Sequence, residues 1–330
     1  MTAIELETVA EDWQLSLDAA ASALDASGRG VFPPQDLAER RRRLADERQE
    51  ARESLASLGR AVGAREQPWV AAFPIRASHV GLPDGVRACL FDLEGVVTDS
   101  GRLHAAAWAE VFDDFLVRRS GREGMPFIPF DTDADYGTYV EGRLRLDGIR
   151  IFLRSRGIAI PEGRPSDPAS ADTEYGLARH KSEALGRQLR RRGVTALPGA
   201  RRYLEAVARA GLGCAVVSSS ATTMPMLELA GVVRLVDERV DAATIESAGL
   251  QARPAPDIVV AACGLLGVEP AAAVSFTHSA DGLVAAQAAG VRTIGVGIDD
   301  ASRARLSAYG AERVVGSLSE LLDARLRVAA

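Results

Sequence analysis

Residues 86–100 read VRACLFDLEGVVTDS, and the fold turns on them. A short apolar run, 86–91, stops abruptly at Asp-Leu-Glu-Gly, the pattern of a buried parallel strand running into a tight loop. Working outward, similar apolar runs recur at 213–217, 273–276 and 293–296. Each follows a helical pattern, such as 200–210 or 256–266. Alternation of strand and helix implies right-handed crossovers and a parallel sheet with helices on both faces. In such a sheet, sites form at the carboxyl ends of the strands. The stretch between the first and second runs, residues 102–196, is too long for a crossover and is rich in Arg, Asp and helical periodicity. It reads as an inserted helical cap over the strand ends, with hinges near 99–101 and 197–199. The core is then residues 86–101 and 197–330.

Upstream, residues 1–66 read as a helical hairpin extension, its second helix opening at Pro33-Pro34. Leu37, Leu44, Ala51 and Leu58 recur every seven residues on that highly charged helix. Such a narrow stripe needs a partner surface, either the chain's own core or a second copy in a homodimer. Residues 67–85 hold three prolines and no clear period, so a linker is expected. With 330 residues and a formal charge of -6, the chain can bury a large core but offers no field attractive to nucleic acid or an anionic membrane. No apolar run approaches the roughly 20 residues of a membrane span. Cys89, Cys214 and Cys263 lack metal-ligand spacing, and the expectation is free thiols in a reducing cytoplasm.

Asp92 sits immediately after the first strand, and Glu94 follows two residues on. A carboxylate there can attack phosphorus, and the second acid can pass a proton to the leaving oxygen. A loop Asp can equally cap the next helix. Ser218, Ser219 and Ser220 end the second strand, where hydroxyls and N–H groups can hold phosphate oxygens or simply cap a helix. Arg253 opens Arg-Pro-Ala-Pro-Asp, a turn that fixes a cation before the next helix.

Together these strings resemble the haloacid dehalogenase (HAD) superfamily, in its β-phosphoglucomutase-like branch with a helical cap. FDLEGVVTDS is similar to the first motif of that family, and Ser218 matches the phosphate-binding hydroxyl of the second. Arg253 stands where the branch has Lys. Within the cap, 136–148 (YGTYVEGRLRLDG) resembles the loop whose Arg grips a distal phosphate; Arg145 fills that place, with Arg143 two residues away. His104 matches a hinge-proximal His coupled to acid–base chemistry. The resemblance covers residue 86 to the C-terminus. It implies an α/β protein: a HAD-type Rossmann-like parallel sheet, an inserted helical cap, and here an N-terminal helical extension.

The implied activity is phosphoryl transfer or hydrolysis on a small phosphorylated metabolite, a sugar phosphate, through an aspartyl-phosphate at Asp92. Glu94 and His104 would handle protons, Ser218, Ser219 and Arg253 the phosphoryl group, Arg143 and Arg145 the distal anion. Mg²⁺ is the implied cofactor, held by Asp92 and the Glu94 main-chain carbonyl. Yet relatives carry an acidic pair after the fourth strand, whereas this chain has Thr277-His278. Magnesium prefers hard oxygen donors, so His278 or Asp281 would have to complete the site, with Mg²⁺ held weakly or replaced by Mn²⁺ or another divalent ion. Two further readings follow. The protein could keep the phosphate pocket as a ligand-binding or scaffolding protein without turnover, or it could run altered chemistry with His278 as base or metal ligand.

Overall fold

The structure, a computed structural model, describes residues 74–124 and 126–327. The hairpin expected over 1–66, with its dimer contact, lies outside the described residues.

A six-stranded parallel sheet organises the chain: β1 (Ala88–Asp92), β2 (Gly213–Val217), β3 (Glu238–Val240), β4 (Ala273–Thr277), β5 (Arg292–Val296) and β6 (Arg313–Val315). Their spatial order is β3-β2-β1-β4-β5-β6. The chain winds outward from β1 to β3 and then restarts on the other side at β4. The switch point therefore lies between β1 and β4, where a crevice opens beyond the strand ends. Register aligns Phe91 with Phe276 and Asp92 with Val217, so Asp92 and Thr277 both reach that crevice.

Helices cover both faces. In chain order the helices are α1 (Gly101–Glu123), α2 (Arg145–Ser155) and α3 (Glu174–Arg192) of the insertion, then α4 (Ala200–Arg209), α5 (Thr223–Leu229), α6 (Ala242–Ser247), α7 (Asp257–Leu265), α8 (Ala280–Ala288) and α9 (Asp300–Ala308), which flank the sheet. Because side chains alternate along a strand, Cys89 and Phe91 pack toward α4 and α5, while Ala88 and Leu90 pack toward α6, α7 and α8. Burial on both faces explains why β1 is continuously apolar up to Asp92. Phe91 stacks on Phe276 at 4.6 Å between centroids, and Tyr203 meets both edge-on. These rings fix the floor beneath Asp92. Among the described residues, no helix is long and apolar enough to cross a membrane, and the three cysteines are buried free thiols.

α1, α2 and α3 occupy residues 101–192 and pack around Trp108, Phe112, Phe130 and Phe152. The two chain crossings to this unit run side by side. Leu197 N donates to Val97 O at 2.9 Å and Asp99 N to Thr195 O at 3.2 Å, while Thr98 bridges Ala196. The segments expected to be hinges are thus flanked by a hydrogen-bonded seam.

Three sequence expectations are corrected. Asp92 is the last residue of β1 rather than the first of a loop. β3 and β6 were not anticipated, because three residues are too short to display a period. The linker expected over 67–85 is, from residue 74 on, part of the folded core: Ala77–Val80 forms a 3₁₀ turn, and Val80 and Leu82 are buried. Its backbone is tied down as well, since Tyr203 Oη donates to Val80 O at 2.8 Å and Asp323 N to His79 O at 2.8 Å. Prolines here shape a packed turn. Tyr203→Phe strands that buried carbonyl and should cost about 1–3 kcal/mol in urea-induced unfolding; an unchanged midpoint would show that the clasp contributes nothing.

Candidate active site

Asp92 is only 2% exposed. A lone carboxylate there would be driven neutral, and burial does push its pKa up. The Arg253 guanidinium, the hydrogen bond and charge of His278, and the Thr277 hydroxyl outweigh that push and bring it down to about 2. Arg253 Nη2 donates to Asp92 Oδ1 in a close ion pair. Thr277 Oγ1 donates to Oδ2 at 2.6 Å, joined by His278 Nδ1 at 3.2 Å and His278 N at 3.4 Å. Both oxygens of the carboxylate are therefore engaged.

His278 is itself held between two acids. Its Nδ1 faces Asp92, and Nε2 lies 3.5 Å from Glu141 Oε1, on the loop before α2. Burial alone would lower its pKa, but bonds and charge from those two carboxylates raise it to about 10, so the ring is an imidazolium at neutral pH. Gly95 makes the room. It has φ +69°, and a Cβ there would come within 2.7 Å of the His278 ring.

Glu94 closes the other side. Its carboxyl pKa is raised, chiefly by burial, with Lys181 and His278 opposing and Glu141 and Asp92 reinforcing. His104, on α1, brings Nε2 within 3.1 Å of Glu94 Oε1, a close polar contact without hydrogen-bond alignment. His104 Nδ1 lies 2.9 Å from Lys181 Nζ, on α3. Burial first, then Lys181 and Arg145, keeps His104 well below its ordinary pKa. It is neutral, accepts from the lysine at Nδ1, and so carries its proton on the Nε2 that faces Glu94. Lys181 is lowered to about 7 by burial and by Arg145, with Glu94 pulling the other way; Trp108 lies 5.4 Å from its Nζ.

Asp92, Glu94, His104, Ser218, Ser219, Arg253, Arg143, Arg145 and His278 all line one pocket between the strand ends and the helical insertion. Ser218 Oγ accepts from Ser220 N at 3.0 Å. Ser219, expected at the phosphate, instead donates its hydroxyl to Gly142 O at 2.9 Å and so fastens core to cap. Arg145 is partly committed, donating to Ser182 at 2.6 Å. Arg253 retains a buried Nε without a hydrogen-bond partner, a donor left for an incoming anion. Sequence reasoning missed Lys181, Glu141 and Thr277 as a donor. Lys181 sits in a stretch crowded with Arg and His, where nothing marks it as buried.

The expected metal site is not met. Asp281 lies in the first turn of α8, which Ser279 caps by accepting from Gly282 N at 3.1 Å, and it does not line the pocket. Both nitrogens of the His278 ring already face carboxylate oxygens, Nδ1 that of Asp92 and Nε2 that of Glu141. Among the described residues, no group of three His, Cys, Asp or Glu is arranged to hold a metal ion. With both Asp92 oxygens engaged and a hydroxyl and an imidazole in place of two acids, the donor set does not fit Mg²⁺ or a related ion.

A depressed lysine pKa has a measurable sign. Between about 7, its folded value, and 10.5, its ordinary value, the unfolded chain binds the extra proton, so folding stability rises with pH across that window. Wild-type stability should therefore climb relative to Lys181→Met as pH goes from 7 toward 10, in paired thermal melts. Parallel curves would show that Lys181 is ordinarily charged.

Comparison with known proteins agrees with this geometry. Residues 86–290 match the haloacid dehalogenase-like hydrolase family. A β-phosphoglucomutase of Mycobacterium tuberculosis is 49% identical over 252 residues, spanning 75% of this chain and 96% of that protein. Among solved structures, CbbY from Rhodobacter sphaeroides in complex with phosphate superposes with a TM-score of 0.54 at 25% identity, covering 72% of this chain and 96% of its own. β-Phosphoglucomutase from Clostridium difficile shares the fold, with a TM-score of 0.56 at 21% identity and coverage of 72% and 93%. A parallel sheet with its switch point at Asp92, the motif order along the chain and the extent of these matches lead to one assignment: the chain belongs to the haloacid dehalogenase-like hydrolases, among their β-phosphoglucomutase-like members.

Proposed function

We propose that this protein transfers or hydrolyses the phosphoryl group of a small phosphorylated metabolite, a sugar phosphate, through an aspartyl-phosphate on Asp92. The observation that carries the reading is the ionised Asp92 carboxylate at the switch point, facing a pocket lined by Ser218, Arg253, Arg143 and Arg145. The 49% identical relative named β-phosphoglucomutase supports the substrate class.

In the forward step an Asp92 oxygen attacks phosphorus and the bond to the sugar oxygen breaks. Arg253 shifts its hydrogen bond from Asp92 to the phosphoryl oxygens, where Ser218 also binds. Glu94, whose burial favours its protonated form, gives a proton to the departing oxygen. In the second step a sugar hydroxyl or water attacks the aspartyl-phosphate, and Glu94 takes the proton back. Neutral His104, oriented by Lys181, positions Glu94. Residues 102–196 act as a cap that excludes bulk water, with Arg145 and Arg143 holding the distal anion of the substrate.

A second reading has its own support. Because Asp92 is clasped by Arg253, Thr277 and His278, the pocket could bind a phosphorylated ligand without turning it over. Phosphate release from a panel of sugar phosphates, run with EDTA and with Mg²⁺, separates the two. Turnover is expected in wild type and should fall at least about a thousandfold in Asp92→Asn, which removes the nucleophile. Ligand binding without release in wild type would favour the binding-protein reading, and undiminished turnover in Asp92→Asn would overturn the aspartyl-phosphate.

A further inference from the structure

We propose that this is a metal-independent phosphoryl site, in which His278 and Arg253 occupy the two oxygens of Asp92 and supply the positive charge that a divalent cation would otherwise bring. The inference rests on the phosphoryl-transfer reading above and adds the source of its electrostatics.

Three observations support it. First, the donors to Asp92 are covalently attached groups: the Arg253 guanidinium on Oδ1, and the His278 ring and main-chain N–H on Oδ2. The Thr277 hydroxyl adds a further donor to Oδ2. A divalent ion on Asp92 would have to displace these partners. Second, the ring is seated rather than adventitious. It packs onto the bare backbone of Gly95, and its far nitrogen meets Glu141 of the cap, so both ends have partners. Third, fixed donors already line the site: Arg253, Arg145 and Lys181 border the pocket, and both ring nitrogens of His278 face carboxylate oxygens, of Asp92 and of Glu141. An incoming phosphate dianion would meet Arg253 Nε, which is buried and unpartnered. Such fixed donors stabilise transferring oxygens without a metal.

The arrangement also ties the charge to the cap. Glu141 lies in the helical insertion, so the second partner of His278 is in place only when the cap is seated as here.

The test uses the full-length protein and inorganic phosphate as probe, titrated calorimetrically in EDTA and in Mg²⁺. Wild type should bind with the same affinity in both, and Mn²⁺ added to it should keep its free-ion paramagnetic resonance signal. His278→Ala should weaken phosphate on the order of tenfold, with no rescue by Mg²⁺. The double variant Thr277→Glu, His278→Asp should bind Mn²⁺ and make phosphate binding depend on Mg²⁺. Tightening of wild-type binding on the order of tenfold by Mg²⁺, or uptake of Mn²⁺ by wild type, would overturn metal independence while leaving phosphoryl transfer standing. No phosphate binding in either condition would overturn the phosphoryl site itself. Should the variants fail to fold, the paired wild-type titrations decide alone.

Discussion

A single ionised carboxylate at the end of a buried central strand sets the terms for everything around it. Asp92 has almost no access to water, so its charge persists only because the surrounding segments deliver partners. Arg253 comes from the turn before α7, Thr277 from the end of β4 and His278 from the residue after it. Strand order brings these together, since β1 and β4 flank the point where the winding reverses. Removing one partner would leave a buried charge uncompensated, which is why neighbouring residues at this edge are polar in an otherwise apolar sheet.

Much of this was legible in the sequence. Parallel strands buried on both faces are written as continuous apolar runs, so 213–217 and 273–276 could be read directly, and the residues that end them fell at the crevice. Packing of a different kind was hidden. The stretch from residue 74 looks like a linker because prolines mask its few apolar side chains, yet Val80 and Leu82 are buried. Charge in α3 was equally opaque. Lys181 stands among Arg179, His180, Arg187 and Arg190 with nothing in the sequence to mark it as buried, and only the fold turns it inward against His104. Asp281 failed for the converse reason: closeness in sequence to His278 suggested a ligand, but helix capping by Ser279 fixes it in a first turn outside the pocket.

The altered fourth motif also becomes intelligible in three dimensions. In sequence, Thr277-His278 registers as the loss of two acids. In the fold, the hydroxyl and the ring both donate to the same carboxylate oxygen, and Glu141 balances the ring from the opposite side. Ser219, expected to serve the phosphate, donates its hydroxyl hydrogen bond to Gly142 O, so a motif position has been recruited to hold the insertion against the sheet.

The paired backbone at 97–99 and 195–197 has a mechanical consequence. Thr98 is at once a rung of that pairing and an anchor of the loop carrying Glu94, since its N–H and hydroxyl both donate to Leu93 O and its carbonyl accepts from Gly95 N. The helical insertion and the Glu94 loop thus share one fastener. Torque applied to the helical insertion is delivered through Thr98 to the backbone on either side of Glu94, so a change in cap attitude is felt at the acid before any substrate atom is touched.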